Sequence, residues 1–275
     1  MNYLQAVILG IVEGLTEFLP VSSTGHLTIT EKLLGLSVDD PAVTGFTAVI
    51  QMGAIVAVIV YFWRDIWRIA RAWLLGLFKP EYRGRFDHRM GWFVIAGTIP
   101  IGVVGFVFKD FITNGLRSLW VVAVALIVWS AVMVYAERVA RRHRPETSLT
   151  IQDALVVGLV QCVALVPGVS RSGATISAGL LRGLDRVAAT RLSFFLSIPA
   201  LLAAGLFELK AALGGSIGAG PTLVGTLVSF VVAYASIAWL LRFVARHSIA
   251  AFAPYRVALG AALLVVLSLG LMTAT

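Results

Sequence analysis

The sequence predicts an all-α polytopic membrane protein with six spanning helices plus two re-entrant helical hairpins in two inverted-topology repeats. Three observations predict it. Of 275 residues, 59% are apolar and 13% charged, and the mean hydropathy is +0.92. No soluble domain of this length hides so much apolar surface, and disorder is excluded. Six apolar stretches each approach the roughly 20 residues that cross ~30 Å of hydrocarbon. Two further apolar stretches are broken in the middle by proline, glycine and serine, at matching positions in the two halves of the chain.

The elements follow in order. The first broken stretch, about 3–34, is interrupted by Pro20-Val21-Ser22-Ser23-Thr24-Gly25. Proline and glycine stop a helix and serine or threonine caps the next. The stretch fits two half-helices and is awkward as one straight span, so it reads as a re-entrant hairpin. Non-helical backbone at that depth is tolerated only inside protein or beside a wet cavity. Spans near 43–62, 92–109 and 118–136 come next, with Arg64–Phe78 between the first two read as an interfacial helix carrying Arg64, Arg68 and Arg71 on one face. The second broken stretch, about 151–182, is interrupted by Pro167-Gly168-Val169-Ser170-Arg171-Ser172-Gly173, and Asp153 is placed to cap its start. Spans near 190–209, 222–241 and 256–273 complete the chain, with a glycine-rich turn at 214–220. Trp63, Trp92, Trp120, Trp239 and Tyr255 fall near segment ends, where amphipathic rings favour the interface.

Gly10-Ile11-Val12-Glu13 lies over Gly158-Leu159-Val160-Gln161, Pro20 over Pro167 and Gly25 over Gly173, at offsets of 147 and 148. The chain therefore divides into repeats at about 1–147 and 148–275, one membrane domain overall. Each repeat holds one hairpin and three spans. Three is odd, so the second repeat lies inverted, with the broken helices meeting near the midplane as in many transporters.

The net charge is +8, from 22 basic and 14 acidic residues. In a soluble protein that surplus points to nucleic acid; here the positive-inside bias accounts for it, and no nucleic-acid partner is expected. The 64–89 and 138–144 linkers, Arg182, Arg186 and Arg191, and Arg242, Arg246 and Arg256 place 17 of the 22 basic residues on one side, against Lys32, Lys109, Arg117 and Lys210 on the other. The arginine-rich side is then cytoplasmic, and the first hairpin opens outward. The lone Cys162 excludes an internal disulfide framework and reads as a packing residue. Glu13 and Glu17 interrupt the first apolar run, and the first basic residue is Lys32, so the N-terminus is not a secretory signal. His88, His143 and His247 sit in basic linkers and are expected to be solvated.

Glu13 and Glu17, four apart, share one helical face. A charge at mid-bilayer costs roughly 2.5–3.5 kcal/mol on insertion scales. A shared proton, a divalent cation such as Mg²⁺ or Ca²⁺, or Arg171 must offset it. Ser22, Ser23, Thr24 and Gly25 open a half-helix whose free N–H groups favour an anion. His26 lies one turn beyond Ser23, the minimal arrangement for a serine with a neighbouring base. Ser170, Arg171, Ser172, Gly173 and Thr175 occupy the matching break, and a guanidinium fork suits phosphate. Together these residues suit a phosphorylated lipid headgroup with a divalent cation, the tail lying among the spans. The implied chemistry is phosphoryl transfer at a membrane.

The runs Glu13-Gly-Leu-Thr-Glu17-Phe-Leu-Pro-Val-Ser-Ser-Thr-Gly-His26 and Pro167-Gly-Val-Ser-Arg171-Ser-Gly-Ala-Thr175 closely resemble the two signatures of the undecaprenyl-pyrophosphate phosphatase family, known also for bacitracin resistance. The resemblance covers essentially the whole chain, with no departure at the signature positions. It implies a bacterial inner-membrane, multi-pass phosphatase that converts undecaprenyl pyrophosphate to undecaprenyl phosphate and inorganic phosphate, recycling the lipid carrier for cell-wall synthesis. It also implies a divalent cation, which fits Glu13 and Glu17.

One mechanistic version makes Ser23 the nucleophile and His26 its base. Arg171 and the half-helix N–H groups then stabilise phosphoryl oxygens, and Glu13 and Glu17 hold the cation. The other uses a water activated by His26 or a glutamate, with Ser23 binding phosphate. The rival class is an inverted-repeat transporter or flippase of a phosphorylated lipid. A lipid phosphatase of the phosphatidic-acid type is rejected, because no histidine follows Ser170-Arg171 in its expected place. Whether two copies pair as a homodimer is left open by the sequence.

Overall fold

The computed structural model describes residues 1–38, 40–109, 111–112, 116, 118–212 and 218–274, and the side chains of all of these except 206–212. Among the sequence expectations, Arg117 and residues 214–217 of the glycine-rich turn lie outside the described residues, as does the side chain of Lys210. The described residues form eleven α-helices and no strands. They are α1 (Tyr3–Thr16), α2 (Ser23–Leu33), α3 (Pro41–Tyr61), α4 (Trp63–Phe78), α5 (Phe86–Val107), α6 (Leu119–Val139), α7 (Ile151–Gln161), α8 (Arg171–Leu181), α9 (Arg186–Ala212), α10 (Ala219–Val244) and α11 (Ala253–Ser268).

Six segments are long and apolar enough to cross a membrane: Pro41–Tyr61, Phe86–Val107, Leu119–Val139, Arg186–Gly205, Ala219–Val244 and Ile249–Ser268. All six predicted spans are present, with shifted ends. The second begins six residues early, because Phe86–Arg89 continue its helix; Asp87 lies in the first turn, where an acid suits the helix dipole. His88 is consequently buried, its Nδ1 3.3 Å from the Ala72 carbonyl and its ring against Gly76 of α4. That overturns the expectation of a solvated His88; His143 and His247 are exposed as expected. The last span stops at Ser268, short of the predicted 273, and Gly270 just beyond adopts φ 66°.

Each broken stretch is two short helices around an irregular turn, α1–α2 and α7–α8. Local features recur at a constant offset of 148. Asn2 and Thr150 each close a capping box, with Gln5 and Asp153. Ser22 and Ser170 each cap the second short helix from a positive φ. Gly35 and Gly183 adopt φ 70° and 84° just after those helices. Packing is reciprocal as well: α1 lies against α10, from the other half of the chain, and α7 lies against α5. Both contacts are made through glycine. A Cβ on Gly10 would meet the Gly225 carbonyl at 2.5 Å, and one on Gly158 would meet the Gly97 carbonyl. Small residues let helix backbones touch where hydrophobic driving force is weak.

The arginine-rich face is knitted by ion pairs. Arg191 bridges Glu146 and Asp65, and Arg144 and Arg182 converge on the buried Asp153. Burial alone would raise the Asp153 carboxyl. Hydrogen bonds from Arg144, Arg182 and Thr150 outweigh it and hold the group well below the usual carboxylate range.

Candidate functional site

The two breaks meet. Ser22 (φ 78°) and Ser170 (φ 75°) sit where only glycine is comfortable. Each is held there by its side chain, which accepts the N–H three residues on: Gly25 N to Ser22 Oγ at 3.4 Å, and Gly173 N to Ser170 Oγ at 3.2 Å. Such a conformation costs on the order of 1–3 kcal/mol and persists only where the surroundings fix it. It turns the chain sharply, so that the next residue opens a helix. That residue is Ser23 at one break and Arg171 at the other.

Both reach the same carboxylate. Ser23 Oγ donates to Glu17 Oε2 at 2.6 Å, and Arg171 Nη2 donates to Glu17 Oε1 at 3.0 Å. The Glu17 side chain is 4% exposed and that of Arg171 12%. A buried charge of this kind is tolerable because it is paired and hydrogen-bonded. The Nε and Nη1 groups of Arg171 are buried and meet no acceptor among the described residues, leaving the guanidinium with unused donors. Glu13 is fully buried one turn before Glu17, and both carboxylates act on the Arg171 charge.

His26 is not paired with Ser23. Its Nδ1 lies 2.7 Å from the Ser22 carbonyl and its Nε2 2.6 Å from the Tyr255 hydroxyl, with the two rings stacked at 5.6 Å. A carbonyl can only accept, so Nδ1 carries the proton and Nε2 accepts from Tyr255. The expected Ser23–His26 hydrogen bond is thus replaced by Ser23–Glu17. One turn of helix brings the residues near, but the carboxylate competes better for the hydroxyl proton.

The other expected phosphate contacts divide. Thr24 is exposed at the start of α2. Ser22 and Ser170 are caps, and Ser22 Oγ also accepts the Gly168 N–H at 3.2 Å, joining the two breaks. Ser172 Oγ donates to the Leu19 carbonyl at 3.0 Å, and Thr175 Oγ1 to Ser193 at 2.6 Å. These hydroxyls hold the breaks in shape. Gly25 and Gly173 pack closely; a Cβ on them would meet Val122 at 2.9 Å and Met133 at 3.4 Å.

Sequence reasoning counted Arg256 among the basic residues of the arginine-rich side and gave it no role at the site. It is fully buried. Its guanidinium donates to Pro20 O and Gly168 O at 2.9 Å, and to Val169 O and Ser130 Oγ at 3.1 Å. Carbonyls freed by both breaks thereby find donors on one side chain, as buried backbone requires. A guanidinium inside an apolar run was the available signal. Gln161 stands at the offset of 148 from Glu13, is equally buried, and makes no side-chain hydrogen bond among the described residues.

As for a cation, no group of three or more histidine, cysteine or acidic side chains converges among the described residues. Glu13 and Glu17 offer hard oxygen donors, and Glu17 already receives Ser23 and Arg171. Such a set fits an ion like Mg²⁺, which binds one or two carboxylates and completes its shell with substrate phosphates and water.

The chain matches the profile of the bacitracin resistance protein BacA family over residues 6–262. It is 58% identical to undecaprenyl-diphosphatase 3 of Frankia casuarinae over the full length of both chains. Identity is 57% with the undecaprenyl-diphosphatase of Acidothermus cellulolyticus, again over all of both. With undecaprenyl-diphosphatase 1 of Streptomyces coelicolor it is 60%, over 98% of this chain and 97% of the other.

Proposed function

The chain belongs to the bacitracin resistance protein BacA family, and from that premise we infer that it is an undecaprenyl-diphosphatase. It hydrolyses undecaprenyl pyrophosphate in the membrane to undecaprenyl phosphate and inorganic phosphate. The observation that supports a site for this chemistry is the convergence of Ser23 and Arg171 on Glu17. Ser23 Oγ attacks the terminal phosphorus while its proton passes to Glu17. The bond from phosphorus to the bridging oxygen breaks, and undecaprenyl phosphate leaves with that electron pair. Water then cleaves the phosphoserine, and Glu17 returns the proton to Ser23. The unused donors of Arg171, with the N–H groups opening α2 and α8, bind the phosphoryl oxygens. His26 holds the Ser22 carbonyl and so aims Ser23, with Tyr255 fixing the ring. Glu13 and Glu17 would hold a Mg²⁺ or Ca²⁺, which when bound neutralises charge on the diphosphate.

The breaks are read as re-entrant hairpins of two inverted repeats, 1–147 and 148–275, in a bacterial inner membrane with the site opening outward. The orientation rests on the arginine count, and losing Arg256 from it leaves the asymmetry intact. A cysteine introduced at Ser37 tests it: labelling from outside is expected, and labelling only from the cytoplasm would reverse the orientation.

Activity is tested by phosphate release from undecaprenyl pyrophosphate in detergent, with and without Mg²⁺ or Ca²⁺. Cation-dependent release that Glu17→Ala and Arg171→Ala both abolish is expected, with phosphoserine trapped at Ser23. Near-normal turnover by Ser23→Ala would shift the attack to water. No release by folded wild type would move the weight to a flippase.

A further inference from the structure

Helix α4, between the first two spans, carries three stripes. Ile69, Ala72 and Gly76 are buried on the side that packs against α5, where the His88 ring meets Gly76 and the Trp73 indole meets Gly91. Trp63, Trp67, Leu74 and Phe78 are all exposed. At 3.6 residues per turn they fall within about 60° of one another. Beside them runs an exposed stripe of Arg64, Arg68 and Arg71. The charges there are uneven, for residues 64–89 hold seven basic and three acidic side chains. Two of the acids are already engaged. Asp65 receives Arg68 at 3.0 Å and Arg191 of α9 at 3.1 Å, and Asp87 of α5 receives Arg68 at 3.0 Å. These pairs fix how α4 is rolled on its neighbours. Arg64 and Arg71 form no ion pair among the described residues.

We propose that α4 is a binding site for anionic phospholipid, with Arg64 and Arg71 holding headgroup phosphates while Trp63, Trp67, Leu74 and Phe78 enter the acyl boundary. The occupant follows from the pairing of the stripes. A soluble anion would meet the arginines and leave two indoles and a phenyl ring in water. A neutral lipid would cover the rings and leave the arginines idle. Only an amphiphile with a negative head answers both. The location agrees: α3 ends at Tyr61 and α4 begins at Trp63, where a span leaves the hydrocarbon. Seven residues separate the two arginines, about 10 Å along the axis, so each takes its own headgroup. Arg68, spent on Asp65 and Asp87, positions the helix instead. The site is independent of the phosphatase reading.

The test titrates the full chain, purified in a neutral detergent, with phosphatidylglycerol, phosphatidylcholine or inorganic phosphate, and reads the midpoint of thermal unfolding. A ligand of the folded state raises that midpoint. Phosphatidylglycerol is expected to raise it at lower concentration than phosphatidylcholine, and inorganic phosphate to leave it unmoved. In Arg64→Gln/Arg71→Gln the half-saturating phosphatidylglycerol concentration should rise at least about tenfold. Arg64→Lys/Arg71→Lys, which keeps the charge, should stay near wild type. Arg138→Gln/Arg141→Gln removes two exposed arginines elsewhere on the arginine-rich face and is the control. An equal loss in the control would overturn the site in favour of diffuse attraction to that face. An equal shift by inorganic phosphate would overturn the lipid as occupant, and so would equal action of the two lipids. Wild type in high salt reads the same point without a variant. Screening should abolish the preference for phosphatidylglycerol, and a preference untouched by salt would refute the role of the arginines.

Discussion

The two broken stretches are built by one recipe and do different work. Residues 2–35 and 150–183 share capping boxes, a serine at positive φ before the second helix, and a glycine at positive φ after it. Yet at equal offsets the first stretch carries Glu13, Glu17, Ser23 and His26, whereas the second carries Gln161, Leu165, Arg171 and Ala174. The first supplies acid, hydroxyl and imidazole; the second supplies the cation. One kind of backbone frame that exposes helix N–H groups thus serves at both stretches, with the chemistry partitioned between them. Pairing a carboxylate from one copy with a guanidinium from the other also makes both charges tolerable inside the membrane domain.

Replacing Glu17 and its counterpart breaks the comparison most strongly. Glu17→Gln is expected to lower kcat by about a thousandfold, in the range of lost general-base and charge-stabilising groups. Leu165→Gln is expected to change it by about twofold or less. Equal losses in phosphate release would mean that the copies are not partitioned as described.

Arg256 serves both copies alike. Arg256→Met strands carbonyls of both breaks and is expected to cost about 3 kcal/mol, from one to three for each buried group left unpaired. It should appear as a lower midpoint of thermal unfolding in detergent, and an unchanged midpoint would refute the clamp.

The serines give a finer difference. In Ser170→Gly, relief of the backbone strain offsets the lost cap, leaving stability within about 1 kcal/mol of wild type. Ser22→Gly also loses the Gly168 hydrogen bond, and should fall about 1 kcal/mol further. Thermal melts of the two variants side by side decide it.

The smallest effect separates the capping boxes, because Asp153 is ionised and ion-paired where Gln5 is neutral. Its folded pKa lies below the unfolded value of about 3.9, so its contribution is present above that pH and is lost as pH falls toward the folded value. Asp153→Asn should therefore flatten the loss of stability below about pH 4. An unchanged acid slope would remove Asp153 from that role.

The frame was largely legible in the sequence. Span existence follows from run length and apolarity, and the breaks from proline, glycine and serine. Span ends were less so, because the Phe86–Arg89 helix continues through polar residues that hydropathy alone discards. At the site, residue types announced phosphate chemistry but not who bonds whom. Spacing along one helix brought His26 toward Ser23, whereas Glu17 lies across the turn, where spacing gives no distance. Arg256 was counted only for orientation and its role at the breaks was missed, because its partners come from segments more than 80 residues away.

Arg256 also sets an order on assembly. Chains are made from the N-terminus, and this side chain comes at position 256 of 275. Both breaks are synthesised long before the donor that their carbonyls require. Until the last span enters the bilayer, Pro20, Gly168 and Val169 lack that partner, and the turns that aim Ser23 and Arg171 lack their shared brace. A nascent chain therefore carries both breaks unbraced, and the two turns share their donor only once the final helix is in place.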